Sequence, residues 1–322
     1  MKKPILISFV IPCYYSKNVI RREVEEVMAE FDKHEGFECE FILVNDGSTD
    51  GTYDVIKALS KEYTNVKGIN FIRGFGQHNA QICGMRYAKG NYVMGIDDDM
   101  QNHPSQIFKV IDKELEGYDI TYGIYRNHYK NGIIKQMTSR FNNYTSGKLI
   151  GMPKEIEASS FWIITQKVNQ EAIKYSGYNL LLDGLFYQIS HNIGQAEVEH
   201  FPRAEGKSGY NFSKLVKMWL RYWSYSVIPL RLAFFFGMFA SLFGMIVAIW
   251  TVVKKFTDPA LPIGWASTIC LMTLLFGAVL MVLGIIGEYL GKVIMILNKT
   301  PQFIIRETTF DIIEEDVVKD AE

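Results

Sequence analysis

The chain has few cysteines and no pattern among them. Cys13, Cys39, Cys83 and Cys270 form no CxxC pair and no metal-ligand spacing. That excludes a disulfide scaffold and leaves reduced thiols in a protein whose soluble part sits in the cytosol. An excess of charge of one sign is also missing. The 34 Lys and Arg against 35 Asp and Glu leave a net charge of −1, without the basic field of a nucleic-acid-binding protein. No internal repeat or low-complexity tract appears. The opening "MKKPILISFVIPCYY" sets two lysines before an apolar run. That run is short and bounded by Pro4 and Pro12, no small-residue cleavage site follows it, and Pro12 stands where a lipoprotein signal would want a small residue before Cys13. A first strand is the better reading.

What is present is apolar: 48% of the residues are hydrophobic and 14% aromatic, enough for a catalytic core and something more. From Ile5 to about Gly123, strand-like runs ("ILISFVI", "CEFILVN", "VKGINFI", "NYVMGID", "YDITYGI") alternate with helix-period segments. Ile20, Val24, Val27, Met28 and Phe31 share one helical face. Such alternation predicts an α/β fold with a mostly parallel sheet covered on both faces. Ligands of these folds bind at the carboxyl ends of strands. Asp46 follows "FILV" and Asp97 follows "VMGI", so both acidic turns fall at that edge.

From Asn211 the character changes. Phe212, Leu215, Val216, Trp219, Leu220 and Trp223 recur at helical spacing, with Lys214, Lys217 and Arg221 on the other face. This is the pattern of an amphipathic helix lying on an anionic membrane surface, although an ordinary surface helix can carry it too. Ile228 to Val253 holds one charge, Arg231, and Gly264 to Gly287 holds none. About 20 apolar residues span a bilayer, so two transmembrane helices are predicted. Basic residues flank the outer ends of the pair, while the connecting loop carries only Lys254, Lys255 and Asp258. The positive-inside rule then places both termini in the cytosol, with a multi-pass anchor in the cytoplasmic membrane. The expected organisation is a cytosolic domain over 1–210, an interfacial helix over 211–227, two spans within 228–297 (about 228–253 and 264–287), and a cytosolic tail over 298–322 with a strand-like segment.

The stretch "GIDDDMQNH" runs an apolar segment into three carboxylates. Asp97 and Asp99, two apart at a strand end, can point the same way. They form a hard-oxygen site suited to Mg²⁺ or Mn²⁺, with water and phosphate oxygens completing the shell. An isolated DxD is more often a solvated acidic turn. Here a second acidic turn, "VNDGSTDGT", accompanies it, in which Asp46 can hydrogen-bond a base or ribose and the glycines let backbone approach closely.

Taken together, "VIPCYY", "VNDGSTDGT", "RGFGQHNAQICGMRYAKGNY" and "DDDMQNHPSQI" resemble the successive motifs of family 2 glycosyltransferases of the GT-A fold. "HFPRAEGKSGYNFSKL" and "GIIGEYLGKVIMILNKTPQFIIRE" are similar to the membrane-proximal part of polyprenyl-phosphate glycosyltransferases, the relatives of dolichol-phosphate mannose synthase and bactoprenol glucosyltransferases. The resemblance runs from about Ile5 to Arg306. It implies transfer of a sugar from a nucleotide-diphosphate sugar, UDP by default, to a membrane polyprenyl phosphate such as undecaprenyl phosphate, with inversion. Pro12, Tyr14 and Asp46 match nucleotide-binding positions, and Asp97 matches the first acid of the DxD, near the ribose and diphosphate. Asp99 matches the metal ligand, to which Asp97 is added, and Gln101 the glutamine that follows.

Departures accompany the likeness. "YYSK" stands where "YNEE" is usual, so one ribose-contacting acid is missing, and "MQNHPS" stands for "LQDPPE". "SSFW" stands for a "DFR" element whose aspartate is a candidate base. An acceptor phosphate is already ionised and needs little deprotonation, so cations matter more than a base. Arg126, Arg140, Arg203 and Lys207 are the candidate acceptor-phosphate ligands, each also readable as a solvated charge. Asp183 is the candidate base, readable too as a helix cap, with Glu157 as fallback. His78 and His103 flank the site. A processive polysaccharide synthase would want more spans and a QxxRW motif, and no Arg-Trp pair occurs. A non-catalytic sugar-nucleotide-binding scaffold, or transfer to another lipid or glycan, stays as the alternative. "TPQFIIRE" is strand-like, and in related enzymes such a tail can pair with a neighbouring subunit, so a homo-oligomer, up to a tetramer, is expected.

Overall fold

The structure is a computed structural model. It describes residues 3–125, 153, 155–177, 181–199, 201, 235–236, 239, 242–243, 246, 265–297 and 301–311. The chain divides into two compact units, Met1–Asn211 with Pro301–Glu322, and Phe212–Thr300.

The first unit is built on one eight-stranded sheet of order β7-β5-β6-β4-β1-β2-β3-β8. Its strands are β1 (Ile5–Cys13), β2 (Phe37–Asn45), β3 (Val66–Phe71), β4 (Tyr92–Gly95), β5 (Ile120–Tyr125), β6 (Trp162–Thr165), β7 (Ile193–Val198) and β8 (Ile305–Thr308). The five strands expected from the apolar runs are all present, and the opening segment is β1. The centre is parallel, β4-β1-β2-β3, while β6 runs antiparallel between β4 and β5.

The central strands are buried on both faces. Ile7, Phe9, Ile11, Phe41 and Leu43 pack on one side with α1 (Ile20–Phe31) and α2 (Thr52–Glu62). Val10, Ile42, Val44 and Ile69 pack on the other with α3 (Gln77–Arg86) and helix Leu182–Ile189. On α1 the buried Ile20, Val24, Val27 and Phe31 form the expected stripe. Gly95, the last residue of β4, leaves room for the Trp162 ring. A Cβ there would lie 2.2 Å from Trp162 Cε2, so these two positions fix how β6 sits on β4.

The strand-like tail is real, and in this chain it pairs antiparallel with β3 of the same chain. β8 ends the sheet order, so its outer edge is unpaired among the described strands. In the second unit, helix Trp265–Leu297 runs for 33 residues. Counting only described residues, no helix is long and apolar enough to cross a membrane.

Candidate functional site

Three parallel neighbours, β1, β2 and β4, deliver their carboxyl ends to one place. Tyr14 follows β1, Asp46 follows β2, and Asp97 to Asp99 follow β4. The three turns are tied together. The Tyr14 amide donates to Asp98 Oδ2 at 2.8 Å, and the Tyr15 amide to Ser48 Oγ at 3.0 Å. Tyr15 holds a left-handed backbone, φ 57°, a conformation costly for a residue of its size. Tyr14 and Tyr15 meet edge to face at 4.7 Å and are 61% and 54% exposed. They are an aromatic surface open to solvent at the rim of the acidic turn. Pro12 lies buried in β1 opposite Val44.

Asp46 has a role its motif does not announce. Its Oδ1 accepts the Phe75 amide at 2.6 Å and its Oδ2 the Gly76 amide at 2.9 Å. Burial raises its pKa and these two bonds pull it partly back. The carboxylate therefore anchors the β3–α3 loop, and its remaining lone pairs are what it can offer a nucleotide. Gly47 is required here: at φ +73°, a Cβ would fall 2.4 Å from the Arg73 carbonyl carbon.

The three aspartates face different partners. Asp97 Oδ1 accepts Gln77 Nε2 at 2.6 Å, and its Oδ2 accepts Ser160 Oγ at 2.5 Å. Asp99 Oδ1 accepts the Gln101 amide at 3.1 Å. Asp98 turns to Tyr14, and burial, with Asp99 beside it, pushes its pKa up to about 6. Beneath them lies Glu23 of α1, 0% exposed, with neither carboxylate oxygen hydrogen-bonded. Burial first, then Asp99, Asp98, Glu26 and Asp97, hold its pKa well above the usual range. Among the described residues no group of three or more His, Cys, Asp or Glu is arranged as a metal cage. A Mg²⁺-like ion that takes one or two carboxylates and completes its shell with water and phosphate oxygens needs no such cage. The donor set fits that ion: hard oxygens only, in a negative field that raises two acids.

Ser160 and Gln77 are the residues that sequence reasoning missed. Ser160 lies in the "SSFW" read as a loss, and it is a partner of Asp97. Gln101 holds its place: its amide bonds Asp99 and its carbonyl accepts the Phe201 amide at 3.3 Å. His103 stacks on Phe201 at 4.5 Å, and its Nε2 lies 3.6 Å from Glu26. Asp183 sits in the first turn of helix Leu182–Ile189. The Tyr122 hydroxyl is 3.5 Å from its Oδ1, and burial pushes its pKa up to about 7, in range for a general base at neutral pH. Glu157 is exposed and its amide donates to Gln195 Oε1 at 3.2 Å. Arg126, Arg140, Arg203 and Lys207 lie outside the described residues.

The family model described as "Glycosyl transferase family 2" matches residues 8–173, the segment that holds every acidic turn above. The chain belongs to this family. An uncharacterized glycosyltransferase of Bacillus subtilis, YkcC, is 30% identical over 96% of this chain and 95% of its own length. A prophage-derived bactoprenol glucosyl transferase of Shigella flexneri is 28% identical over 94% and 98%. An undecaprenyl-phosphate 4-deoxy-4-formamido-L-arabinose transferase of Shewanella sediminis is 26% identical over 94% and 92%. Among solved structures, glucosyl-3-phosphoglycerate synthase from Mycobacterium tuberculosis, in complex with Mn²⁺, UDP and phosphoglyceric acid, superposes with a TM-score of 0.51 at 18% identity, over 69% of this chain and 77% of that one. This family 2 glycosyltransferase therefore shares the sheet architecture of that protein, the GT-A-like fold expected from the motifs.

Proposed function

We propose that this family 2 glycosyltransferase moves a sugar from a nucleotide-diphosphate sugar, UDP by default, to the phosphate of a membrane polyprenol such as undecaprenyl phosphate. The supporting observation is the convergence of Tyr14, Asp46, Asp97 and Asp99 at the ends of β1, β2 and β4, in a chain aligned over 94% of its length with a bactoprenol glucosyl transferase. An acceptor phosphate oxygen attacks the anomeric carbon as the bond to the diphosphate breaks, and the electron pair leaves on the diphosphate. One displacement of this kind inverts the anomeric centre. The Tyr14–Tyr15 surface and Asp46 hold the nucleoside, while Asp97, fixed by Gln77 and Ser160, faces the ribose and diphosphate. Asp99 with Asp97 would hold a Mg²⁺ or Mn²⁺ ion, which would supply positive charge to the diphosphate. Arg126, Arg140, Arg203 and Lys207 hold the acceptor phosphate, and Asp183 takes a proton where the acceptor carries one.

The same reading makes the second unit a membrane anchor with spans at about 228–253 and 264–287, an interfacial helix over 211–227, and the catalytic unit and both termini in the cytosol. Along helix Trp265–Leu297, Met272, Phe276, Val279, Leu283, Ile286 and Leu290 are exposed at helical spacing, an apolar stripe suited to lipid. A homo-oligomer belongs to this reading as well, and the mass of the detergent-solubilised protein tests it. The deciding experiment incubates purified protein and undecaprenyl phosphate with a panel of nucleotide sugars and weighs the lipid product. A lipid one glycosyl unit heavier supports transfer. Nucleotide-sugar binding without any product supports the scaffold alternative.

A further inference from the structure

The C-terminal segment 301–311 reaches the donor side of the sheet by two separate routes. The first is aromatic. Phe303 stacks on Phe71 of β3, with centroids 5.3 Å apart and an interplanar angle of 8°. Phe71 meets Phe75 edge to face at 5.6 Å, and the Arg73 guanidinium lies over the Phe75 ring at 4.6 Å. The Phe75 amide is one of the two donors to Asp46, and Gln77, two residues on, holds Asp97. The second route is polar. Glu307 accepts from Lys57 at 2.8 Å and from Asn70 Nδ2 at 3.2 Å, and Asn70 Oδ1 accepts from Asn45, the residue before Asp46, at 2.8 Å. Between the routes the backbone itself is tied. The Ile72 amide donates to the Ile304 carbonyl, and Arg306 donates to the Ile72 carbonyl, both at 3.1 Å. Ile72 is the last residue before the loop Arg73–Gly76.

An edge strand that only closed a sheet would need the ladder and some burial. This one brackets the start of a functional loop from both sides and stacks on the ring beneath it. Phe75 and Gly76 place Asp46, and Gln77 places Asp97, so a small displacement of the loop moves both acids. Loops of this kind are held in geometry by the residues packed behind them.

We propose that residues 302–309 are a positioning strap for the donor loop Arg73–Gln77, so that nucleotide-sugar affinity depends on the docked tail. Phe303 and Glu307 are positioning residues, since neither is placed to touch the donor; they act through Phe71–Phe75 and through Asn70–Asn45. The proposal rests on the reading of this edge as the nucleotide-sugar site.

The test uses the full chain in detergent and three variants: Phe303→Ala, Phe303→Tyr and Glu307→Ala. Two measurements are made on each, the KM values for nucleotide sugar and lipid acceptor, and hydrogen exchange at the Phe75 and Gly76 amides. For Phe303→Ala and Glu307→Ala the donor KM rises roughly 2- to 30-fold, the range for coupling through packed neighbours. The acceptor KM holds, and exchange at Phe75 and Gly76 quickens while the β1 amides stay protected. Phe303→Tyr, which keeps the stacked ring, restores both readouts. A lower melting temperature with unchanged donor KM and unchanged exchange would make the tail a structural edge and overturn the proposal. If Phe303→Ala does not fold, Glu307→Ala, exposed and outside the core, decides alone. If wild type turns over no nucleotide sugar, the functional reading fails. Exchange at Phe75 and Gly76, with UDP binding as the affinity readout, still decides whether the strap sets the loop: normal values in Glu307→Ala overturn it.

Discussion

Two buried glutamates, Glu40 within the sheet and Glu23 on the helix α1 beside its carboxyl end, have opposite surroundings. Glu40, in the first half of β2, accepts Ser8 Oγ and the Lys89 amide at 2.6 Å and Lys67 Nζ at 2.9 Å. Burial alone would raise its carboxyl, but Lys67, Ser8 and Lys89 outweigh it and hold it below its usual range. Glu23, below the carboxyl ends of the strands, is at least as deeply buried and has no such partners. One end is electrostatically closed. The other gathers a surplus of acids, where Asp99 beside Asp98, and Asp97 to Asp99 around Glu23, add to burial in raising the pKa of Asp98 and Glu23. A fold tolerates such a surplus where a ligand completes it, since an uncompensated buried charge is otherwise costly. Under the proposed function, that ligand is a cation with a diphosphate.

The largest effect is expected at Asp99. Asp99→Asn keeps the shape and removes the charge. Transfer falls roughly 100- to 1000-fold, as for loss of one transition-state charge contact, with the fold and membrane extraction unchanged. Next comes the same substitution at the two glutamates. Glu40→Gln loses charge-assisted bonds and destabilises by about 2 kcal/mol in urea melts. Glu23→Gln removes an acid that must take up a proton to fold, so without metal it raises stability by about 1 kcal/mol at pH 8, and less at pH 5. Equal signs at the two positions would erase the contrast. A third effect is the pH dependence of the metal-free protein. Glu114, hydrogen-bonded by Thr121 at 2.6 Å, is raised by burial to about 8, and Asp183 is raised to about 7. Both bind more protons folded than unfolded. Their stabilisation is full below the unfolded carboxylate range and is lost as pH rises through 7 and 8. The melting temperature is therefore lower at pH 8.5 than at pH 6. A flat profile would place both carboxyls in contact with water.

Where each part could be read in the sequence follows from how local its cause is. The five strands β1 to β5 are near-continuous apolar runs because helices cover both faces, and a run is visible without its neighbours. β7, "IGQAEV", alternates toward solvent and carries no run, and β6, "WIIT", begins inside the "SSFW" that the resemblance sets against a "DFR" element. Asp46 and the DxD aspartates stood out because strand ends concentrate function. What Asp46 holds did not, since Phe75 and Gly76 reach it from a separate loop. Ser160 stands where the resemblance puts an acid. Its hydroxyl bonds Asp97 only because β6 runs back antiparallel along β4, and no local pattern shows that. The tail was legible as a strand, but its pairing with β3 in the same chain depends on where the chain returns.

The proposed function requires that the open end of the sheet bind its donor together with a divalent cation. Calorimetric titration of UDP into the full-length protein, in Mn²⁺ and in EDTA, tests it most directly. Binding is expected in Mn²⁺, and is lost in EDTA and lost again in Asp99→Asn. Equal affinity with and without the metal would contradict it.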